Sequence, residues 1–256
     1  HQCISLTHNR LSILELSEAG NQPMFSSDNS ICLVFNGEIY NHLDLRQKYF
    51  PNYPFKGHSD TETLVHMYQK FGTAMFEHLI GMWAIAIWDK KSEQLLLSRD
   101  RYGQKPLYYA FTDSGFMFAS EMRVILPHVS KTENIRMIGD YLAHGNYGHL
   151  GKETFYEHIH QLQPATYATF KVNDIGINPI TYWHLPTLDE KKGKKADAKY
   201  LSELRDTIVD AVLSQTLADV PIGITLSGGI DSSVIAGILA KHYPEKIHIF
   251  TAQTPG

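Results

Sequence analysis

Between residues 1 and 180 the apolar positions come in short runs: ICLVFNG at 31–37, MWAIAIWD at 82–89, QLLLSRD at 94–100, PLYYAF at 106–111 and GFMFASE at 115–121. Asp, Gly, Ser and Pro punctuate them, and closely spaced runs with short connections predict antiparallel sheet. The opening stretch HQCISLTHNRLSIL, 1–14, reads as one more strand. Two segments carry helical spacing instead, NHLDLRQKY at 41–49 and TETLVHMYQKFG at 61–72. Ser59, with Glu62 three residues later, predicts a capping box at the start of the second. Sheet interrupted by helices makes this region α+β.

The pattern changes after residue 186. PTLDEKKGKKADAK, 186–199, is polar and lysine-rich and reads as a linker. Next, YLSELRDTIVDAVLSQTL places Leu201, Leu204, Ile208, Val212 and Leu213 on one helical face. A strand PIGITL, the loop SGGIDSS, a helix SVIAGILAKHY and a strand IHIFTA follow, which is the βαβ order of a parallel, helix-covered sheet. The expected organisation is a first domain over 1–185, a linker over 186–199 and the start of a second domain over 200–256.

Composition narrows the partners. A net charge of −4 gives no electrostatic case for nucleic acid or an acidic membrane surface, and EKKGKK at 190–195 reads as solvated linker. No apolar stretch approaches bilayer length. Cys3 and Cys32 form no CxxC and no secretory leader is present, which fits a reducing cytoplasm. The 14 histidines show no HxxxH or HExxH spacing and are read as surface or core residues rather than metal ligands. The chain opens at His1, inside an apparent strand, and so reads as a fragment.

The densest chemistry sits in LSGGIDSS, 226–233. A strand that ends in a glycine-rich turn and feeds a helix directs backbone N–H groups and the positive end of the helix dipole at one point, which suits polyphosphate. Gly228 and Gly229 permit close approach, Ser227, Ser232 and Ser233 supply hydroxyls, and Asp231 is placed to hold Mg2+. The GK[ST] of a Walker loop, a GxGxxG turn and a GxSxG elbow are all absent. A plain small-residue turn with serine caps is the competing reading. It would win for SGG alone, but the full SGGxDS pattern favours phosphate.

DVPIGITLSGGIDSS resembles the pyrophosphate loop of ATP pyrophosphatases, in particular that of the glutamine-hydrolysing asparagine synthetase family. HNRLSILELSEAGNQPM, FNGEIYNHLDLR, HSDTETL, GMWAIAIWD, SRDRYGQKPLYYA and FASE resemble that family's class II glutamine amidotransferase domain, in the same order. The implied fold is an α+β four-layer αββα sandwich of N-terminal nucleophile hydrolase type, followed by the start of an α/β parallel-sheet nucleotide-binding domain. The implied activity is release of ammonia from glutamine in the first domain. In the second, MgATP activates the aspartate β-carboxylate, with AMP and pyrophosphate as products. ATP and Mg2+ are thus the expected cofactors, and glutamine, aspartate or another carboxylate, and ATP the expected small-molecule partners; a homodimer is compatible with the resemblance.

Carried over residue by residue, the resemblance implies that Arg10 binds the glutamine α-carboxylate and that Leu11, Ser12, Ile13 and Leu14 line the same site. Asn36 and Gly37 would form the oxyanion hole, and Glu38 and Asp60 would face the substrate amino group. Thr225, Leu226, Ser227, Gly228, Gly229, Asp231, Ser232 and Ser233 would bind ATP and pyrophosphate, although Thr225 stands where the family usually has an apolar residue. Taken singly these residues have plainer readings: NG as a hairpin turn, Asp60 as a helix-start acid, Arg10 as a surface arginine. Arg99 and Asp100 are assigned a structural role, ordering the domain interface. The family's nucleophile, a cysteine at the mature N-terminus, has no match, and Cys3, in the strand before RLSI, is not taken as the catalyst. Relatives of this architecture also amidate sugars and natural-product precursors, and a non-catalytic regulatory paralogue is a third alternative.

Overall fold

The computed structural model of the chain describes residues 4–145, 151–171, 174, 176–187 and 197–252. Chain contacts divide it into two compact units, His1–Arg10 with Gly20–Leu185, and Leu11–Ala19 with Pro186–Gly256. Residues 11–19, expected inside the first domain, group with the second unit. There Asp219 Oδ2 accepts the Glu15 N–H at 2.7 Å and the Asp219 N–H donates to the Ile13 carbonyl at 2.9 Å. Cys3 and most of the anticipated linker, 188–196, lie outside the described residues.

In chain order the first unit contains β1 (Met24–Phe25), β2 (Ile31–Ile39), α1 (His42–Tyr49), α2 (Asp60–Phe71), β3 (Gly81–Asp89), β4 (Gln94–Arg99), β5 (Tyr108–Thr112), β6 (Gly115–Ala119), α3 (Met122–Ile125), α4 (Ile135–His144), β7 (His160–Gln161), β8 (Thr166–Phe170) and β9 (Ile180–Thr181). One antiparallel sheet runs β1-β2-β3-β4-β8-β9 and a second runs β6-β5-β7. Strand alternation sends odd and even residues to opposite faces. On the larger sheet, Leu33, Phe35, Trp83, Ile85, Ile87 and Leu96 pack with Leu64, Met67 and Phe76 from α2 and the turn after it. On its other face, Val34, Ala84, Ala86, Leu95, Leu97 and Ala168 meet Leu107, Leu162, Phe116 and Phe118. A third cluster, Ala110, Ile125 and Ile159, joins the smaller sheet to α3. The order helix, sheet, sheet, helix is the expected four-layer αββα sandwich, with small alanines where sheet meets sheet.

The second unit holds α5 (Ala198–Ser214), β10 (Gly223–Thr225), α6 (Ile230–His242) and β11 (His248–Phe250). β10 and β11 pair in parallel, Gly223 opposite His248 and Thr225 opposite Phe250, so the βαβ order is present. The apolar stripe of α5 behaves differently from expectation, since Leu201, Leu204 and Ile208 are 53%, 44% and 41% exposed. Periodicity marks an apolar face, but burying it needs a second surface, and α6 alone does not cover this one.

Two further expectations are corrected. Residues 4–12 alternate between exposed and half-buried positions but form no strand, because alternation does not supply a neighbour to pair with. The capping box is half realised: Ser59 Oγ accepts the Glu62 N–H at 3.2 Å, while the Glu62 carboxylate accepts from the Lys56 and Gly57 N–H groups at 2.9 and 3.0 Å. Among the described residues no helix is long and apolar enough to cross a membrane.

Ala84, Ala86 and Ala168 are buried in the cluster between the two sheets. Ala86→Leu is expected to lower stability by about 1–3 kcal/mol, read as the urea midpoint of the first unfolding transition. An unchanged midpoint would show that the two sheets do not meet there.

Candidate functional site

The site in the first unit grows from the last residues of β2. Asn36, Gly37 and Glu38 lie opposite Ala84, Trp83 and Met82 of β3 and are half-buried, whereas residues 31–35 are fully buried. Gly37 is required by close approach: a Cβ there would collide with the Met82 carbonyl oxygen and the Trp83 Cα. The Asn36 amide is oriented by the second sheet, its Nδ2 donating to Ser120 Oγ at 3.2 Å just beyond β6. The second N–H of that amide remains available to an oxyanion-type acceptor.

Asp60, the first residue of α2, is 5% exposed, and its Oδ2 accepts the Ile39 N–H at 2.9 Å. That bond ties the start of α2 to the end of β2 and sets Asp60 beside Glu38. Burial raises the Asp60 carboxyl to about 6 against the backbone hydrogen bonds that oppose it. Glu38 is raised to about 7, first by burial, then by the Asp60 charge, with Lys105 pulling the other way. A half-buried carboxyl at the end of β2 and a buried one at the start of α2 together form a locus for a cation when ionised.

The loop that delivers Asp60 is clamped by Arg46 of α1. Its guanidinium donates to the Gly57 and Ser59 carbonyls at 2.7 and 2.6 Å and to Thr63 Oγ1 at 2.7 Å, and it lies 3.7 Å over the Phe55 ring. Beneath the site, Asp100 is fully buried. Its Oδ2 accepts N–H groups from Trp83 and Lys105 at 3.2 and 2.9 Å, and its Oδ1 accepts those of Tyr102 and Gln104 at 3.0 and 2.9 Å. The Arg99 guanidinium takes the carbonyls of Lys105, Gly103 and Leu162, each at 2.8 Å. These partners all belong to the first unit, so Arg99 and Asp100 order its own strand and turn.

The remaining expected residues divide between the units. Arg10, half-buried, ends the first segment of unit one, and its charge helps lower the His8 imidazole, which burial lowers most. Leu11, Ser12, Ile13 and Leu14 belong to the second unit, Leu11 being 83% exposed and Leu14 buried. Cys32 faces the protein interior, where burial pushes its thiol up, away from the reactive thiolate.

In the second unit the loop between β10 and α6 closes on itself. Ser227 Oγ and Ser232 Oγ lie 3.1 Å apart, Ser233 Oγ donates to the Gly229 carbonyl at 2.8 Å, and Thr251 Oγ1 donates to the Leu226 carbonyl at 2.7 Å. Gly228 has φ 80°, in the left-handed region that glycine tolerates, and nothing lies within 4 Å of where a Cβ would stand. Gly229 caps α6 without a side-chain acceptor, and Asp231 lies in the exposed first turn. Thr225 ends β10 opposite Phe250. An open, glycine-lined helix start of this kind fits a polyphosphate, and one carboxylate in its first turn fits a Mg2+ shared with phosphate oxygens. No cluster of three or more His, Cys, Asp or Glu able to hold a metal by themselves occurs among the described residues.

With this geometry in place, comparison with known proteins is decisive. The family described as "Glutamine amidotransferase domain" matches residues 1–183. The chain belongs to the glutamine amidotransferase family of asparagine-synthetase type. A second family, "Asparagine synthase", matches residues 203–256. Asparagine synthetase [glutamine-hydrolyzing] 2 of Bacillus subtilis is 33% identical over 97% of this chain and 34% of its own length. Asparagine synthetase B of Escherichia coli is 33% identical over 94% and 38%, and amidase chyE of Penicillium rubens is 34% identical over 93% and 35%. The chain spans between about a third and a half of the length of the curated relatives it matches. Among solved structures, glutamine phosphoribosylpyrophosphate amidotransferase from B. subtilis, complexed with ADP and GMP, superposes with a TM-score of 0.50. It is 15% identical and matches over 95% of this chain and 50% of that one, a likeness of fold consistent with the N-terminal nucleophile hydrolase type.

Sequence reasoning passed over Ser120, Arg46 and Lys105. FASE, NHLDLR and RYGQKPLYY mark their neighbourhoods, but no local spacing reveals which side chain reaches the candidate site. The raised carboxyls make one stability prediction. The folded state binds more protons than the unfolded one between the ordinary glutamate range and about 7, so the stability linked to Glu38 is full at acid pH and lost as pH rises through 7. Glu38→Gln is therefore expected to melt higher than the parent at pH 8, by about 2–4 °C for each kcal/mol recovered, and equally with it at pH 4. Thermal melts at the two pH values check the sign, and a destabilised variant at pH 8 would contradict it.

Proposed function

We propose that the intact protein moves the amide nitrogen of glutamine onto a carboxylate activated by MgATP, with aspartate as acceptor and asparagine as product. The observation that carries this reading is the strand end Asn36–Gly37–Glu38 held against the buried carboxyl of Asp60. In this reading the Asn36 amide and the Gly37 N–H stabilise the oxyanion formed at the glutamine side-chain carbonyl. Glu38 and Asp60 bind the α-ammonium and Arg10 the α-carboxylate, so three charges orient a neutral amide for attack.

The second unit supports the ATP-dependent step. Gly228, Gly229 and the start of α6 would hold the phosphates, Ser227, Ser232 and Ser233 would donate to their oxygens, and Asp231 would hold Mg2+. MgATP would supply the leaving group that a free carboxylate lacks. Aspartate as acceptor is favoured by the asparagine synthetases among the relatives. A comparably similar relative is named an amidase and not an asparagine synthetase, so another acceptor is the second reading. Incubating the intact protein with glutamine, MgATP and aspartate is expected to yield glutamate, asparagine, AMP and pyrophosphate in equal amounts. Glutamate and pyrophosphate formed only with another carboxylate would reassign the acceptor, and no glutamate under any condition would overturn the reading.

Two substitutions separate the half-reactions. Asp231→Ala in the intact protein is expected to abolish pyrophosphate release while glutamine hydrolysis continues, measured as pyrophosphate and glutamate on one preparation. Unchanged pyrophosphate would remove Asp231 from the ATP step. Arg10→Ala is expected to raise KM for glutamine and lower its kcat/KM by roughly 10- to 150-fold, the worth of one charge-assisted contact. Synthesis from ammonium should persist. Equal losses with both nitrogen sources would mean that Arg10 serves only the fold.

A further inference from the structure

Lys105 is the place in the turn after β4 where two buried charged side chains converge. Its N–H is held by Asp100 Oδ2 at 2.9 Å and its carbonyl by Arg99 Nε at 2.8 Å. Both partners are nearly inaccessible, Asp100 fully buried and Arg99 9% exposed. The oxygen that takes the Lys105 N–H also takes the Trp83 N–H at 3.2 Å, and Trp83 stands opposite Gly37 in the β2–β3 ladder, one step from Glu38. One carboxylate oxygen therefore fixes the backbone of Lys105 relative to the strand pair that carries the amidotransferase site. Lys105 is half-buried, and its charge acts on Glu38.

We propose that Lys105 is a positioning residue of the amino-donor pocket, an ammonium carried on a backbone anchored next to the Glu38 strand end, so that the Glu38–Asp60 pair presents a net single negative charge to the α-ammonium of the incoming amino acid. The inference rests on the assignment of Glu38 and Asp60 to that α-ammonium. Two neighbouring buried carboxyls resist ionising together, and without a counter-charge they share a proton. A protonated carboxyl attracts an ammonium weakly. Adding one lysine lets both ionise near neutrality, and two negative charges with one positive leave a deficit that an amino acid's single ammonium fills. The groups facing Glu38 agree with this arithmetic: burial and the Asp60 charge from α2 raise it, Lys105 lowers it, and it settles at about 7. Tyr40, on the same chain segment, is raised by burial and by the charges of Glu38 and Asp100, so it stays neutral and leaves the count unaltered.

The test pairs a direct titration with a binding curve in the intact protein. Carboxyl-carbon NMR, with Glu38 assigned through Glu38→Gln, gives the Glu38 midpoint, and calorimetry gives glutamine affinity between about pH 5.5 and about pH 8.5. Lys105→Met keeps the stem and removes the charge, while Lys105→Arg keeps the charge. Affinity that depends on ionised Glu38 is present above its midpoint and lost as pH falls through it, so raising the midpoint moves the acid limb upward. Lys105→Met is expected to raise the midpoint by about one unit and to weaken glutamine roughly fivefold at pH 7, with the gap closing toward pH 8.5. Lys105→Arg should restore both. A Glu38 midpoint that does not move in a folded Lys105→Met variant would overturn the proposal, as would an affinity loss equal at every pH. Should the parent protein bind no glutamine, the amino-donor reading falls, and the Glu38 midpoint alone decides whether Lys105 sets its charge.

Discussion

The first unit depends on one buried carboxylate. Asp100 accepts four backbone N–H groups, one from β3 and three from the turn that follows β4, with no exposure to water. Hydrogen bonds to an ionised acceptor are roughly twice as strong as neutral ones, and each buried N–H left without a partner would cost about 1–3 kcal/mol. The same residue closes the backbone, its N–H donating to the Trp83 carbonyl and its carbonyl accepting from Gly103 and Ala165. Arg99 supplies the complementary half by binding carbonyls of that turn. A segment with no regular hydrogen-bond ladder thereby has its backbone groups bonded to buried side chains. The Trp83 N–H of β3 reaches the same carboxylate, and the strand end Asn36–Gly37–Glu38 lies against β3.

On that frame the site is built at an energetic cost. Burial raises both Glu38 and Asp60, and the Asp60 charge raises Glu38 further, so part of their desolvation is unrecovered in the folded protein. Strain of this kind persists only where the surroundings over-determine it, and here they do. Asp60 is pinned to Ile39, while Arg46 fixes the preceding loop through two carbonyls and a ring face. The Glu62 carboxylate, which an ordinary capping box would spend on the start of its own helix, is diverted to the same loop. The sequence pattern S-x-x-E thus signals the helix start correctly and misassigns the acid's work, because the loop competes for the carboxylate at closer range.

Legibility in the sequence followed the range of the interactions. The helices at 42–49 and 60–71 were readable from helical spacing, and the strands at 31–39, 81–89 and 94–99 from short apolar runs between polar breaks, since both faces of these strands are buried. Asn36, Gly37, Glu38 and Asp60 were readable as a group only through their order along a family pattern, although the structure brings them together by the Ile39 to Asp60 bond across 21 residues. Ser120 reaches Asn36 across 84 residues and Arg99 reaches Leu162 across 63, and no local spacing encodes such contacts. Residues 4–12 misled in the opposite direction, since alternation records which side meets protein and not whether a ladder partner exists.

The second unit shows why its loop was the easiest chemistry to read. Ser227, Gly229, Ser232 and Ser233 bond to one another within five residues, and the strand before them is tied to β11 by Leu226 and Thr251. A phosphate site made from a helix start needs only local geometry, a permissive glycine and uncapped N–H groups, so its whole specification fits in one short string. An amide-hydrolysing site must instead hold an oxyanion donor, two carboxyls and a cation at angles that no single element can present. The candidate site of the first unit draws on a strand end, a helix start and a turn, with Asp100 and Arg99 buried behind that turn. The difference between one string and many distant residues is therefore a difference in how many elements each arrangement has to bring together.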